Sequence, residues 1–108
     1  MRPSDLIQGT LDVLILKSLA REPRHGWAIA KHIQAVSNDV LQIKQGSLYP
    51  ALHRLEQQGF IRSEWEAGAS GREIKVYALT RAGRAQLEVE CSQWERLSAA
   101  IRLTLRNA

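Results

Sequence analysis

A mainly α chain with a small β-hairpin is the fold class this sequence predicts, and three stretches carry the prediction. Over residues 46–59, Leu48, Leu52 and Leu55 recur at i, i+4 and i+7 with Ala51 and Gly59 flanking them, so one helical face is apolar. Over residues 61–79, two apolar–polar alternating segments flank Ala67-Gly68-Ala69-Ser70-Gly71, the pattern of strand, flexible tip and strand. Farther on, Leu87, Cys91, Trp94, Ser98, Ile101 and Leu105 are spaced four, three, four, three and four residues apart, a heptad seam. A short amphipathic helix followed at once by a hairpin is the pattern of a winged helix-turn-helix, and the seam adds a C-terminal dimerisation helix. Residues 1–80 therefore read as the winged helix-turn-helix domain and residues 81–108 as the dimerisation helix.

The elements follow in order. Ser4 and Asp5 can start a first helix that runs to about Ala20, before Arg21-Glu22-Pro23 breaks it. Its apolar residues, Leu11 and Ile15 among them, surround the helix axis. Such a helix is buried on more than one side, which in a small domain predicts that one side faces a second chain. A second helix runs from His25 or Gly26 to Val36, with Ile29, Ile33 and Val36 as its stripe. A linker over residues 37–45 leads to the third helix, where Ser47 is the expected N-cap, Pro50 falls in the first turn and Gly59 closes the end. Ile61-Arg62-Ser63-Glu64-Trp65 and Glu73-Ile74-Lys75-Val76-Tyr77-Ala78-Leu79 are the two strands. Thr80 can cap a last helix from residue 81 to about residue 106, and Leu97, Ala100 and Leu103 widen its seam.

Composition narrows the function. With 108 residues the chain is one domain plus at most an appended element, and 44% apolar residues suffice for a core. The formal charge is +4, which permits nucleic-acid binding without requiring it, so the placement of charge must carry the argument. A single cysteine excludes an intrachain disulfide framework and suits a reducing cytoplasm. The run Val13-Leu14-Ile15-Leu16, bounded by Asp12 and Lys17, is too short to span a membrane and badly flanked for a signal peptide. No Walker loop, paired catalytic carboxylates or metal-ligand spacing occurs, so the sequence predicts neither an enzyme nor a cofactor. Gly68-Ala69-Ser70-Gly71 matches the GxxG loop that clamps nucleotides in KH domains, but here it joins two strands and reads as a hairpin tip.

The groups that can meet double-stranded DNA are few. Ser47, Tyr49, Pro50, His53 and Arg54 lie off the leucine face of the third helix, toward the end that enters a major groove, and Lys44 and Gln45 precede it. Arg54 can read guanine bidentately or hold a phosphate. In the hairpin, Arg72 and Lys75 can reach the backbone or the minor groove, although Glu64, Glu66 and Glu73 sit nearby. The bland alternative makes all of these solvated surface residues. His25 and His32 read as ordinary surface or packing histidines, Trp65 as core packing, and Trp27 as core or interface.

At these residues the chain resembles a known family. Gly46-Ser47-Leu48-Tyr49-Pro50-Ala51-Leu52-His53-Arg54-Leu55-Glu56, then Gly59 and Ile61, looks like the signature of PadR-type transcriptional regulators, and Tyr77-Ala78-Leu79-Thr80 with Gly83 fits it too. The resemblance covers nearly the whole chain. It implies a homodimeric, DNA-binding, ligand-responsive repressor acting on a roughly palindromic operator. In multidrug-binding relatives a tryptophan of the last helix helps line a ligand site between subunits, which makes Trp94 the candidate for binding a small hydrophobic or aromatic effector. The predicted dimer contacts are Leu11, Ile15, Leu87, Cys91, Trp94, Ile101 and Leu105. The alternative is a winged-helix protein-interaction module that does not bind DNA.

Overall fold

The computed structural model describes residues 3–107, with side chains from residue 9 onward. Capping by Ser4 and Asp5 lies outside the described side chains. The order of elements is α1 (Pro3–Ser18), β1 (Arg24–His25), α2 (Gly26–Val36), α3 (Gln45–Gln57), β2 (Ile61–Ala67), β3 (Glu73–Leu79) and α4 (Arg81–Asn107).

α1 is the hub. It contacts α2, α3 and α4, and its Leu11, Ile15 and Leu16, with Leu19 just past its end, are all but inaccessible to solvent. They meet Ile29 and Ile33 of α2, Leu48, Ala51, Leu52 and Leu55 of α3, Ile61, Tyr77 and Leu79 of the sheet, and Leu87 of α4 in one core. This corrects the reading of Leu11 and Ile15 as dimer contacts. The all-round apolar surface of α1 is satisfied by three helices of its own chain, because a helix at the centre of a bundle needs no second chain to cover it. Val36 departs from the expected stripe of α2 and stands 67% exposed.

The hairpin pairs antiparallel from Ile61 opposite Leu79 to Ala67 opposite Glu73. A third strand joins it: β1 lies on the other side of β3, with Arg24 opposite Tyr77 and His25 opposite Val76. Two residues give no period-2 signal, so this strand is invisible in sequence. β1 leads directly into α2, where His25 Nδ1 accepts from the Ala28 N–H at 3.4 Å as the N-cap.

The corner between α3, β2 and α4 is tightly tied. Gly59 has φ +81, its N–H donates to the Glu56 carbonyl, and the Phe60 N–H donates to the Leu55 carbonyl, which is the Schellman closure. Thr80 then works in both directions, donating its hydroxyl to the Gly59 carbonyl at 2.7 Å and accepting the Gly83 N–H at 3.0 Å. A Cβ on Gly83 would collide with the Phe60 carbonyl oxygen and approach Leu79 Cδ1 to 2.8 Å. Gly83→Ala is therefore expected to destabilise. Overpacking of a closed site costs about 1–3 kcal/mol, which outweighs the roughly 1 kcal/mol that alanine gains in helix propensity. A thermal melt checks this, and an unchanged or higher Tm would contradict the close approach.

α4 outgrows the body. Leu87 and Cys91 pack on the protomer's own core, whereas Trp94, Leu97, Ile101 and Leu105 are 43%, 45%, 46% and 76% exposed. The predicted seam thus divides: its first two residues belong to the intrachain core, and its remainder runs unpartnered along a particle 56 Å long. Among the described residues, no helix is long and apolar enough to cross a membrane.

Candidate nucleic-acid interface

The interface is built on α3, whose two faces are cleanly sorted. Leu48, Ala51, Leu52 and Leu55 are buried, while Gln45, Gly46, Ser47, Tyr49, Pro50 and His53 are exposed, as is Lys44 just before them. The start of the helix differs from the expected one. Lys44 is the N-cap residue without a side-chain cap bond, and its carbonyl receives the Ser47 and Leu48 N–H groups at 3.0 and 2.9 Å. Ser47 therefore lies inside the first turn and is not the cap. Pro50 consequently sits one turn deeper than expected, where its ring removes the N–H that would have bonded the Gly46 carbonyl. The Ser47 hydroxyl has no hydrogen-bond partner among the described residues, and Pro50 offers the Gly46 carbonyl no donor, so both groups stand on the exposed end of α3.

Tyr49 binds the two helices of the motif together. Its hydroxyl and ring edge lie against Gly26, where a Cβ would meet the Tyr49 oxygen at 2.9 Å. The exposed end of α3 is thereby held beside the N-terminus of α2, whose free N–H groups make that end partly positive. A phosphate contact by the Tyr49 hydroxyl would gain from this field.

Arg54 stands apart from the rest of the set. Its Nη2 donates to Asp12 Oδ1 of α1 at 2.6 Å. The two side chains are 39% and 19% exposed, so water screens the pair and its contribution to stability is small. The guanidinium is fixed toward α1 and is not presented freely with His53. Forty-two residues separate the partners, and no local pattern in the sequence links them.

The two wing cations singled out in the sequence, Arg72 and Lys75, are presented differently. Arg72 is exposed at the tip beside Gly71, which has φ +82. Lys75 turns inward toward α3. Its Nζ lies 3.7 Å from Glu56 Oε1 and within 5.6 and 6.0 Å of the Tyr77 and Trp65 rings. Glu56 also accepts the Ser63 hydroxyl, so the glutamate fastens the wing to α3. Burial, then the Glu56 charge and then Tyr49, raise the pKa of the Tyr77 phenol, which stays protonated at neutral pH.

Trp65 departs from the core packing expected of it, and of the two readings of Trp27 the core one is excluded. Trp65 is 64% exposed on the α3-facing side of the wing, and Trp27 is 56% exposed with Lys31 Nζ 4.9 Å from its ring centroid. Neither is core. The Trp27–Lys31 contact had a sequence signal, since residues at i and i+4 meet on a helix.

Behind the interface, Glu90 of α4 has a buried carboxylate oxygen with no hydrogen-bond partner among the described residues. Burial pushes its pKa above the ordinary glutamate range, a bond with Gln86 pulls it part of the way back, and the charge on Asp12 adds to the rise. As pH climbs through that raised pKa, the folded protein must ionise a buried group that the unfolded chain already ionises freely, so stability falls. Glu90→Gln is expected to raise Tm at neutral pH, with the gain disappearing in acid. A series of melts from acid to neutral pH tests this; a gain independent of pH would assign it to something other than the carboxyl. No group of three or more histidine, cysteine, aspartate or glutamate side chains among the described residues is arranged to hold a metal.

Three helices, the third buried on one face and bare on the other, with a hairpin wing fastened to its end, define a winged helix-turn-helix module. The sequence model of the PadR-like family of transcriptional regulators matches residues 15–89, and the chain belongs to that family. It is similar to a solved transcriptional regulator from Clostridium thermocellum, with 31% identity, 91% of this chain and 95% of that one covered, and a TM-score of 0.82. A PadR family transcriptional regulator from Eggerthella lenta is 34% identical, with 97% and 89% covered and a TM-score of 0.79. An uncharacterized protein of Lysinibacillus sphaericus is 32% identical over 100 residues, covering 93% of this chain and 92% of its own.

Proposed function

We propose that the protein is a cytoplasmic, sequence-specific DNA-binding regulator that acts as a homodimeric repressor at a roughly palindromic operator. The observation that carries this reading is the bare N-terminal end of α3, where Lys44, Gln45, Ser47, Tyr49, Pro50 and His53 stand exposed over a fully buried leucine face. Arg72 at the wing tip extends the same contact toward the backbone or minor groove. In this reading Arg54 serves DNA only after exchanging Asp12 for a phosphate or a base, and Lys75 acts chiefly by holding the wing.

Residues 81–108 serve as the dimerisation arm. Trp94, Leu97, Ile101 and Leu105 form an apolar stripe whose burial against a second copy is favourable, and a two-fold pair of recognition ends suits half-sites about 34 Å apart. Trp94 lies on that stripe among the smaller side chains of Cys91 and Ser98. A planar apolar effector stacking there would alter the angle between protomers and hence the spacing of the two α3 helices.

The test is a gel-shift series over increasing salt on the DNA upstream of the protein's own gene. Each phosphate contact is expected to contribute about −0.9 to the slope of log K against log salt. Absence of binding at low salt would favour an interaction module that does not use DNA.

A further inference from the structure

Trp65 is left without a packing role. It stands 64% exposed on the wall of the wing that faces α3, in line with Ile61 and Ser63 and opposite Lys75 across the strands. Its indole N–H has no hydrogen-bond partner among the described residues. A large apolar ring with a free donor is the kind of side chain that a partner molecule covers.

The other polar groups on that wall are already employed. Ser63 donates its hydroxyl to Glu56. Lys75 Nζ lies 3.7 Å from Glu56 Oε1, so the two charges largely offset each other, and Tyr77 is only 6% exposed. Glu73 stands farther out, opposite Ala67, while Glu64 and Glu66 alternate onto the other face of the hairpin. What stays available in the seam between α3 and the wing is an uncharged donor, the Trp65 Nε1–H.

A duplex that takes α3 in its major groove and the wing tip in the adjacent minor groove carries one sugar–phosphate backbone between the two. That backbone must cross the seam where Trp65 stands. We infer, resting on the DNA-binding role proposed above, that Trp65 is a further DNA-contacting residue, its ring packed on deoxyribose and its Nε1–H donated to a phosphate of this backbone. Lys75 lies over the ring with Nζ 6.0 Å from the centroid, and Glu56 fixes Lys75 in turn, so the indole is oriented from α3 itself. Such a contact sets the register of α3 in the groove and carries no sequence information.

The experiment compares the full-length wild type with Trp65→Phe and Trp65→Ala in gel shifts over increasing salt. The DNAs are the segment upstream of the protein's own gene and an unrelated duplex of equal length. Trp65→Phe keeps a ring over Lys75 and deletes the N–H, which makes it the deciding variant. It is expected to weaken both DNAs alike by about tenfold, with the slope against salt unchanged, because a neutral donor releases no counterion. Trp65→Ala should weaken them further, and the melt of Trp65→Phe should not move. Ethylation of a phosphate on this backbone should impair the wild type and leave Trp65→Phe indifferent. Wild-type affinity in Trp65→Phe would overturn the contact. A loss on the upstream DNA alone would make Trp65 a reader of bases and reject the phosphate assignment, and a shallower slope would trace the loss to a displaced Lys75. If the wild type binds neither DNA at low salt, the DNA-binding role itself fails, a result distinct from equal binding by wild type and variant.

Discussion

Leu97→Glu combined with Ile101→Glu is expected to convert a stably associated protein into a folded monomer and to abolish tight operator binding. Both side chains are nearly half exposed and neither packs against the protomer's core, so charging them disturbs the fold little. In a dimer they would sit at the centre of the apolar stripe, where two buried carboxylates per chain have no partner and cost far more than they could recover. Sedimentation at micromolar concentration should show the change in mass. Operator affinity should fall by roughly a hundredfold or more, because joining two recognition ends supplies avidity of that order. A wild-type protein that sediments as a monomer would remove the basis of the prediction. Leu87 and Cys91 do not serve this purpose: Leu87 lies in the protomer's own core and Cys91 packs against it, so altering them would confuse unfolding with dissociation.

The second large effect separates folding from reading on a single helix. Leu52 is completely inaccessible at the junction of α1, α2 and α3. Leu52→Ala is expected to cost about 2–5 kcal/mol, through lost transfer free energy and the cavity left behind. In a domain whose total stability is about 5–15 kcal/mol, that is enough to lower Tm by many degrees. Tyr49→Ala, three residues earlier, should do the opposite. Its side chain is 45% exposed and lies with its hydroxyl and ring edge against Gly26, so the melt should move little while DNA affinity drops. Equal losses of stability in the two variants would show that Tyr49 is a packing residue, and α3 would then lack its best candidate contact.

The leucine face of α3, the alternation in β2 and β3, the Gly59 closure and the Thr80 cap are local patterns, set by 3.6- and 2-residue periods and by residues with particular backbone preferences. The sequence by itself determined these elements and which face of each is apolar. It also determined which side of α3 is bare, because that side is the complement of the leucines.

Partners could be settled only by tertiary structure. Leu11 and Ile15 are apolar in any reading, but only the packing of α2, α3 and α4 around α1 decided that their cover comes from the same chain. Arg54 looks free on a helical wheel, and only the approach of α1 to α3 gave it Asp12. Lys75 alternates outward in one register and inward in another, and its place under Glu56 followed from how the wing folds back on α3. Trp65 alternates with the buried Ile61, yet it stands exposed, with Lys75 as its cross-strand neighbour. The reason is common to all four. Periodicity fixes the direction of a side chain relative to its own element, whereas burial and charge pairing depend on which other element arrives there, and that is set by contacts between residues far apart in the chain.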